Sequence, residues 1–185
     1  MSDAVAAVDF GASSIRVCRV ELGDGVPRLD VVHRYPHRAR AGADGVLRWD
    51  WAQLVAETER GLDLARARGP LASIGVDTWG VDYGLLDGRG ELLEPPISYR
   101  DPRTDATWRN VTERVGAGRL YEIAGLQPLP INTIFQLAAH DPAQVARAVH
   151  VLTLPALVVH HLTGAVTAEP TSAGTTGLLE VRTRR

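Results

Sequence analysis

Hydrophobic and polar positions alternate three times before residue 36. Ala4 to Phe10 is an apolar run closed by Asp9, and Ile15 to Leu22 and Arg28 to Tyr35 follow with the period of two that marks a strand buried on one face. Gly11-Ala12-Ser13-Ser14 separates the first pair and Gly23-Asp24-Gly25 the second, so the pattern predicts an antiparallel meander. The polar stretch from Arg40 to Gly45 reads as a mobile loop. The period then lengthens. Trp51, Leu54, Val55, Leu62 and Ala65 recur at helical spacing behind Asp50, a ready N-cap, until Gly69-Pro70 stops the helix. Ser73 to Asp77 (SIGVD) is apolar without alternation, which predicts a strand paired in parallel and covered on both faces. It ends in the polar, glycine-rich TWGVDYG, and open α/β sheets bind ligands at the carboxyl ends of such strands.

The second half is mostly helical. Asp87-Gly88 marks a hairpin turn, Pro95-Pro96 a break, and Pro102 the first turn of a helix running to Val115. Further helices are expected over 119–124, 133–140, 142–148 and 155–163, the last stopped by Gly164. No repeat, low-complexity tract or linker divides the chain, so one α/β domain is expected.

Composition narrows the function. The 185 residues are 45% hydrophobic and 23% charged, an ordinary globular balance, and a net charge of -2 supplies no field for nucleic acid or an anionic membrane. All 20 basic residues are Arg, so this chain holds no phosphate-loop lysine, kinase strand lysine or lysine Schiff base. Cys18 stands alone in an alternating run and reads as a buried structural thiol. No leader-like or membrane-length apolar segment is present, and a cytoplasmic protein is expected.

Three segments can carry chemistry. In Asp9-Phe10-Gly11-Ala12-Ser13-Ser14-Ile15-Arg16, a turn with two hydroxyls and exposed N–H groups can meet phosphate oxygens, Arg16 adds a cation, and Asp9 can orient hydrated Mg²⁺; a plain solvated hairpin has the same composition. In the stretch from Ile74 to Gly84, Trp79 offers a sugar a flat apolar face, Asp77 and Asp82 offer acceptors, and Gly80 permits close backbone approach. Trp79 serves equally as core and Asp82 equally as a turn residue. Arg100 and Arg103 in Ser98-Tyr99-Arg100-Asp101-Pro102-Arg103 can bind polyol hydroxyls or phosphate, and a surface helix start capped by Asp101 explains them as well. His160 and His161 lie on a helical run and read as structural or solvated.

DFGASSIR, GVDTWGVDYGLL, ISYRDPRT and YEIAGLQPLPINTIFQL, continued by LTLPALVVHHLTG and EPTSAGTTGLLEV, together resemble the FGGY family of carbohydrate kinases, and DTWGVD resembles its rhamnulokinase branch. The resemblance covers almost the whole chain. It implies the RNase H-like, actin- and hexokinase-type ATPase fold, a mixed sheet with flanking helices, of which residues 1–185 would be an incomplete N-terminal domain. It further implies transfer of the ATP γ-phosphoryl group to the 1-hydroxyl of L-rhamnulose with Mg²⁺. Carried over by position, Ala12, Ser13, Ser14, Ile15 and Arg16 fall on the nucleotide-phosphate hairpin and Gly80 on a sugar-contacting position; Trp79, Asp82 and Arg100 join the expected sugar site and Asp9 the metal site. Ile15 stands where the family typically has Gly, and a β-branched residue resists positive φ. The family's general base and adenine site belong to a C-terminal domain that has no counterpart in these 185 residues, so the chain by itself is expected to be inactive. Two rivals stand beside this reading: another FGGY sugar or polyol kinase, and a non-catalytic remnant.

Overall fold

The computed structural model describes residues 3–23 and 25–183. The turn expected at Gly23 to Gly25 therefore includes one residue outside the described set. The opening meander forms as β1 (Asp3–Phe10), β2 (Ser14–Leu22) and β3 (Arg28–Pro36), paired antiparallel. Between them and the next long element, β4 (Arg40–Ala41) and β5 (Leu47–Arg48) make a two-stranded hairpin where a mobile loop was expected. Arg48 explains the difference: its guanidinium pairs with Asp44 inside the turn and with Glu94, each at 2.9 Å.

Helix α1 (Trp51–Arg66) starts as predicted, with the Asp50 carboxylate accepting the Gln53 N–H at 3.2 Å. Its end is closed by Arg19, which is buried and donates to the carbonyls of Ala65 and Gly69 at 3.1 and 3.0 Å. A cation there satisfies orphan carbonyls and meets the negative end of the helix dipole. Strand β6 (Ser73–Thr78) adds parallel to β1, so the sheet order is β3-β2-β1-β6. Alternate residues of β1 and β2, Ala4, Ala6, Val8, Phe10, Ile15 and Val17, form the core with Leu54, Leu62 and Ala65 of α1. Parallel pairing of β6 agrees with its pattern, but burial on both faces does not occur: Ser73, Ile74, Gly75 and Asp77 are exposed. β6 lies at the sheet edge, and α1 packs chiefly over β2 and β3.

The described chain divides into two compact units, residues 1–40 with 49–79, and residues 41–48 with 80–185. No linker marks the division, because the chain crosses it within short connections. In the second unit β7 (Tyr83–Leu86) pairs antiparallel with β8 (His150–Thr153), and around them lie α2 (Thr104–Val115), α3 (Ala117–Ala124), α4 (Thr133–Ala138), α5 (Pro142–Arg147), α6 (Leu154–Thr163) and α7 (Pro170–Gly174). A buried polar chain ties this unit together. Tyr83 Oη lies 2.8 Å from His140 Nδ1, His140 Nε2 lies 2.9 Å from Glu94 Oε1, and Arg48 Nε donates to Glu94 Oε2. The His140 hydrogen bond, helped by Arg48, holds the Glu94 carboxyl below its ordinary range, while burial pushes the Tyr83 phenol up to about 12.

Candidate functional site

The first unit gathers its candidate residues at one end of the sheet. β1 leaves the core at Phe10, the chain reverses through Gly11, Ala12 and Ser13, and β2 begins at Ser14. Gly11 allows the tight reversal: its N–H donates to the Ser14 carbonyl at 3.1 Å, and a Cβ there would stand 3.1 Å from that oxygen. Two bonds from His37 pin the turn from outside, its backbone N–H to the Ser13 carbonyl and its Nε2–H to the Gly11 carbonyl, both at 3.0 Å. Ala12 and Ser13 are exposed and Ser14 is half-buried. Ile15 is fully buried in the core as part of β2, so its side chain cannot line a phosphate site. Its departure from glycine meets no strain either, since Val81 alone among described non-glycine residues has a positive φ.

Register then assembles a row that no local pattern displays. Asp9 is the Cα partner of Arg16 on β2 and of Asp77 on β6, and Arg16 in turn faces Arg34 on β3. Because Phe10, Ile15 and Val17 point to α1, the row Arg34, Arg16, Asp9, Asp77 occupies the opposite face. Arg16 and Asp9 form an ion pair, each about a third exposed at the side chain, and Asp77 is exposed beside them. No group of three or more His, Cys, Asp or Glu suited to a metal occurs among the described residues. Mg²⁺ needs only one or two carboxylates when water and phosphate complete its shell, and Asp9 with Asp77 fits that need.

Trp79 packs with its own unit. Its ring lies 4.5 Å from Trp49, 5.4 Å from His37 and 6.2 Å from Phe10, centroid to centroid, and the Trp79 backbone N–H donates to the Phe10 carbonyl at 3.0 Å. This aromatic group anchors the end of β6, and Trp79 is half-buried in it. Trp49 and His37 were not legible as part of it. Nearby, Tyr35, His37, Trp49 and Gln53 help to line a cavity of about 250 Å³.

In the second unit Gly80 is exposed, and a Cβ built on it would approach nothing nearer than Thr175 Oγ1 at 3.4 Å, an ordinary contact. Neither backbone conformation nor packing therefore demands a glycine there. Asp82, in contrast, is fully buried: its carbonyl accepts the Leu154 N–H at 3.0 Å, and its carboxylate lies 3.4 Å from Gln136 Nε2. Inside the unit it is placed to hold protein rather than sugar. The two arginines also part ways. Arg100 is exposed and lies 5.3 Å over the Tyr99 ring, whereas Arg103 is half-buried and donates to Gln136 Oε1 at 3.1 Å. Asp101, 5% exposed, accepts the N–H groups of Arg103 and Leu47 at 2.9 and 2.8 Å and so ties the loop together; it does not cap the helix as expected, because α2 begins only at Thr104, behind Arg103, with no side-chain cap. His160 Nε2 reaches the Gly90 carbonyl at 3.0 Å, a structural contact. Cys18 is buried, and burial pushes its thiol up.

Residues 4–185 match the FGGY family of carbohydrate kinases, N-terminal domain. The chain is 40% identical over 181 residues to the rhamnulokinase of Enterococcus faecalis, covering 97% of this chain and 36% of that protein. It is 41% identical over 181 residues to the rhamnulokinase of Klebsiella pneumoniae strain 342, covering 95% and 37%. It thus spans little more than a third of the length of these curated relatives. Among solved structures, gluconate kinase from Lactobacillus acidophilus superposes with a TM-score of 0.87 at 16% identity, over 99% of this chain and 38% of that one. Xylulose kinase from Rhodospirillum rubrum gives 0.84 at 20% identity, over 97% and 38%. The fold is the actin-like one of these sugar kinases, and the chain belongs to the FGGY family of carbohydrate kinases.

Proposed function

We propose that the protein to which this chain contributes transfers the γ-phosphoryl group of ATP to the 1-hydroxyl of L-rhamnulose, in the cytoplasm. The observation that carries the reading is the charge row beside the open hairpin. Phosphoryl transfer asks a protein chiefly to position its reactants and to balance charge on phosphate oxygens. Ala12, Ser13 and Ser14 offer the phosphates a turn with two hydroxyls, and Arg16 offers a guanidinium on the adjoining strand. Asp9 and Asp77 would hold Mg²⁺, which when bound neutralises charge on the β- and γ-phosphates. Gly80 and Arg100 of the second unit serve the sugar, and Trp79 is assigned to it by the family resemblance alone; the choice of sugar follows the names of the relatives. In this reading the base that takes the hydroxyl proton, and the adenine site, lie in the part of the relatives that residues 1–185 do not match. The chain alone then makes no ADP.

The test uses the purified chain and its fusion to the remainder of the Enterococcus faecalis rhamnulokinase. ADP release is measured with L-rhamnulose, D-xylulose and glycerol. The fusion should turn over L-rhamnulose best, and the chain alone should be silent. ADP formed by the chain alone would overturn the division of the site. A fusion preferring D-xylulose or glycerol would overturn the substrate, and a folded fusion inactive on all three would overturn the kinase reading.

A further inference from the structure

Val81 adopts φ of 69°, in the left-handed region. For a β-branched residue this conformation is strained. Glycine adopts it at no steric cost, and a glycine stands one position earlier, yet Gly80 is not among the residues with positive φ. A turn built for ease would have the two in the other order. Something else must hold Val81, and α4 supplies it. Thr133 Oγ1 donates to the Val81 carbonyl at 2.6 Å, and Gln136 Nε2 reaches the same oxygen at 3.1 Å. Gln136 Nε2 also lies 2.8 Å from the Ile131 carbonyl and 3.4 Å from Asp82 Oδ1.

Both side chains are almost wholly inaccessible, 1% for Thr133 and none for Gln136. The Gln136 amide has only one workable orientation. Its oxygen accepts Arg103 NH2 at 3.1 Å, while acceptors alone face its nitrogen; exchanging the two would set donor against donor and oxygen against oxygen. Arg103 thus orients Gln136, and Gln136 with Thr133 grips the peptide after Val81.

We infer that Thr133 and Gln136 are positioning residues for the sugar loop: they hold Val81 in its left-handed conformation and thereby fix how the Gly80 backbone is presented to a polyhydroxylated ligand. The inference rests on the reading of Gly80 as a sugar contact. It accounts for a strained valine, a buried amide and a half-buried arginine with one role.

The experiment uses the isotope-labelled 185-residue chain. The Val81 conformation is read from its N–H to Hα scalar coupling and carbon shifts, and L-rhamnulose is titrated against the Gly80 amide. The unsubstituted chain and Thr133→Ser, which keeps the hydroxyl, should show one left-handed conformer and equal affinity. Thr133→Val should show an averaged Val81 backbone and affinity weaker on the order of tenfold. Adding Val81→Gly to Thr133→Val should recover most of that loss, because glycine takes the conformation unaided. A general packing defect would not be repaired by removing a second side chain. If Thr133→Val does not fold, Gln136→Met carries the same series. An unchanged Val81 conformation in the hydroxyl-less variant, or no recovery by Val81→Gly, overturns the inference. If L-rhamnulose leaves Gly80 unmoved in the unsubstituted chain while Thr133→Val still releases Val81, the sugar reading fails and the grip of α4 on the loop stands.

Discussion

Gly61 lies in the middle of α1, where intrinsic propensity favours alanine over glycine by about 1 kcal/mol. Exposed on a helix surface, Gly61→Ala would stabilise. Here the sign reverses, because the helix uses this glycine to approach β2. A Cβ at position 61 would sit 2.7 Å from Val17 Cβ and 3.2 Å from His33 Cβ, and closer still to Val17 Cγ2. Carbon atoms rest about 3.5–4.0 Å apart, so the helix and strand must separate by roughly 1 Å. Turning the valine about χ1 cannot help, since its Cβ is itself in the way and the side chain is fully buried. Overpacking costs about 1–3 kcal/mol, and a conflict with a Cβ that no rotamer relieves belongs in the upper part of that range, about 2–3 kcal/mol, so that after the gain in propensity about 1–2 kcal/mol of destabilisation remains. In a chain of this length that lowers Tm by about 2–8 °C. Urea unfolding followed by tryptophan fluorescence is the assay, because Trp49, Trp51 and Trp79 all lie in the unit that α1 packs into. On a Val17→Ala background Gly61→Ala should cost less yet still not stabilise, because the Cβ to Cβ conflict persists. A raised midpoint for Gly61→Ala alone would refute the close approach.

Other consequences follow from the same geometry. His37→Ala removes the side-chain bond to Gly11 and should speed amide exchange at Ala12 to Ser14 by on the order of tenfold, measured by mass spectrometry; unchanged exchange would mean that the backbone bond suffices. Glu94 titrates lower folded than unfolded, so its contribution is present above the ordinary glutamate value near 4.3 and is lost as pH falls through the lower folded value. Glu94→Gln should therefore flatten the acid limb of a Tm profile, and an unaltered limb would exclude the ion pair as its cause. Tyr83 titrates higher folded than unfolded, near 12, so stability should fall between about pH 10 and 12 and Tyr83→Phe should abolish that fall. Gly80→Ala meets no contact tighter than 3.4 Å and should change Tm by less than about 2 °C, while in the fusion it raises the KM for L-rhamnulose and spares that for ATP; equal losses for both substrates would deny Gly80 a place at the sugar.

Much of the fold was legible because local periods and punctuation coincide with tertiary need. The meander, the Asp50 cap and the Gly164 stop each rest on residues whose local preference agrees with their final setting. Three features escaped. β4 and β5 are two residues each, too short for a period, and depend on Arg48 meeting Glu94 46 positions later. β8 runs directly into α6, so His150 to Thr163 reads as one apolar stretch; the change of element is set by pairing with β7. The apolar composition of β6 indicated its parallel partner but not its place at the edge, since both are satisfied by one neighbour on β1.

The candidate site divides along the same line. Asp9, Ser13, Ser14 and Gly80 stood out because chain reversals and missing side chains are local features. Asp77 and Asp82 look alike in the sequence, five residues apart in one polar loop, and the structure sends them to opposite fates. Asp77 lies in a strand whose register sets it beside Asp9 on the face away from α1, whereas Asp82 turns inward to the Leu154 N–H and the Gln136 amide. A slip of one residue in the pairing of β6 would send Asp77 to the other face and leave Asp9 opposite an apolar neighbour or a hydroxyl. The carboxylate pair therefore belongs to the β1–β6 ladder, and the residues that fix this ladder, Ala6 against Ile74 and Val8 against Val76, are as much a condition of any metal at Asp9 as the carboxylates are.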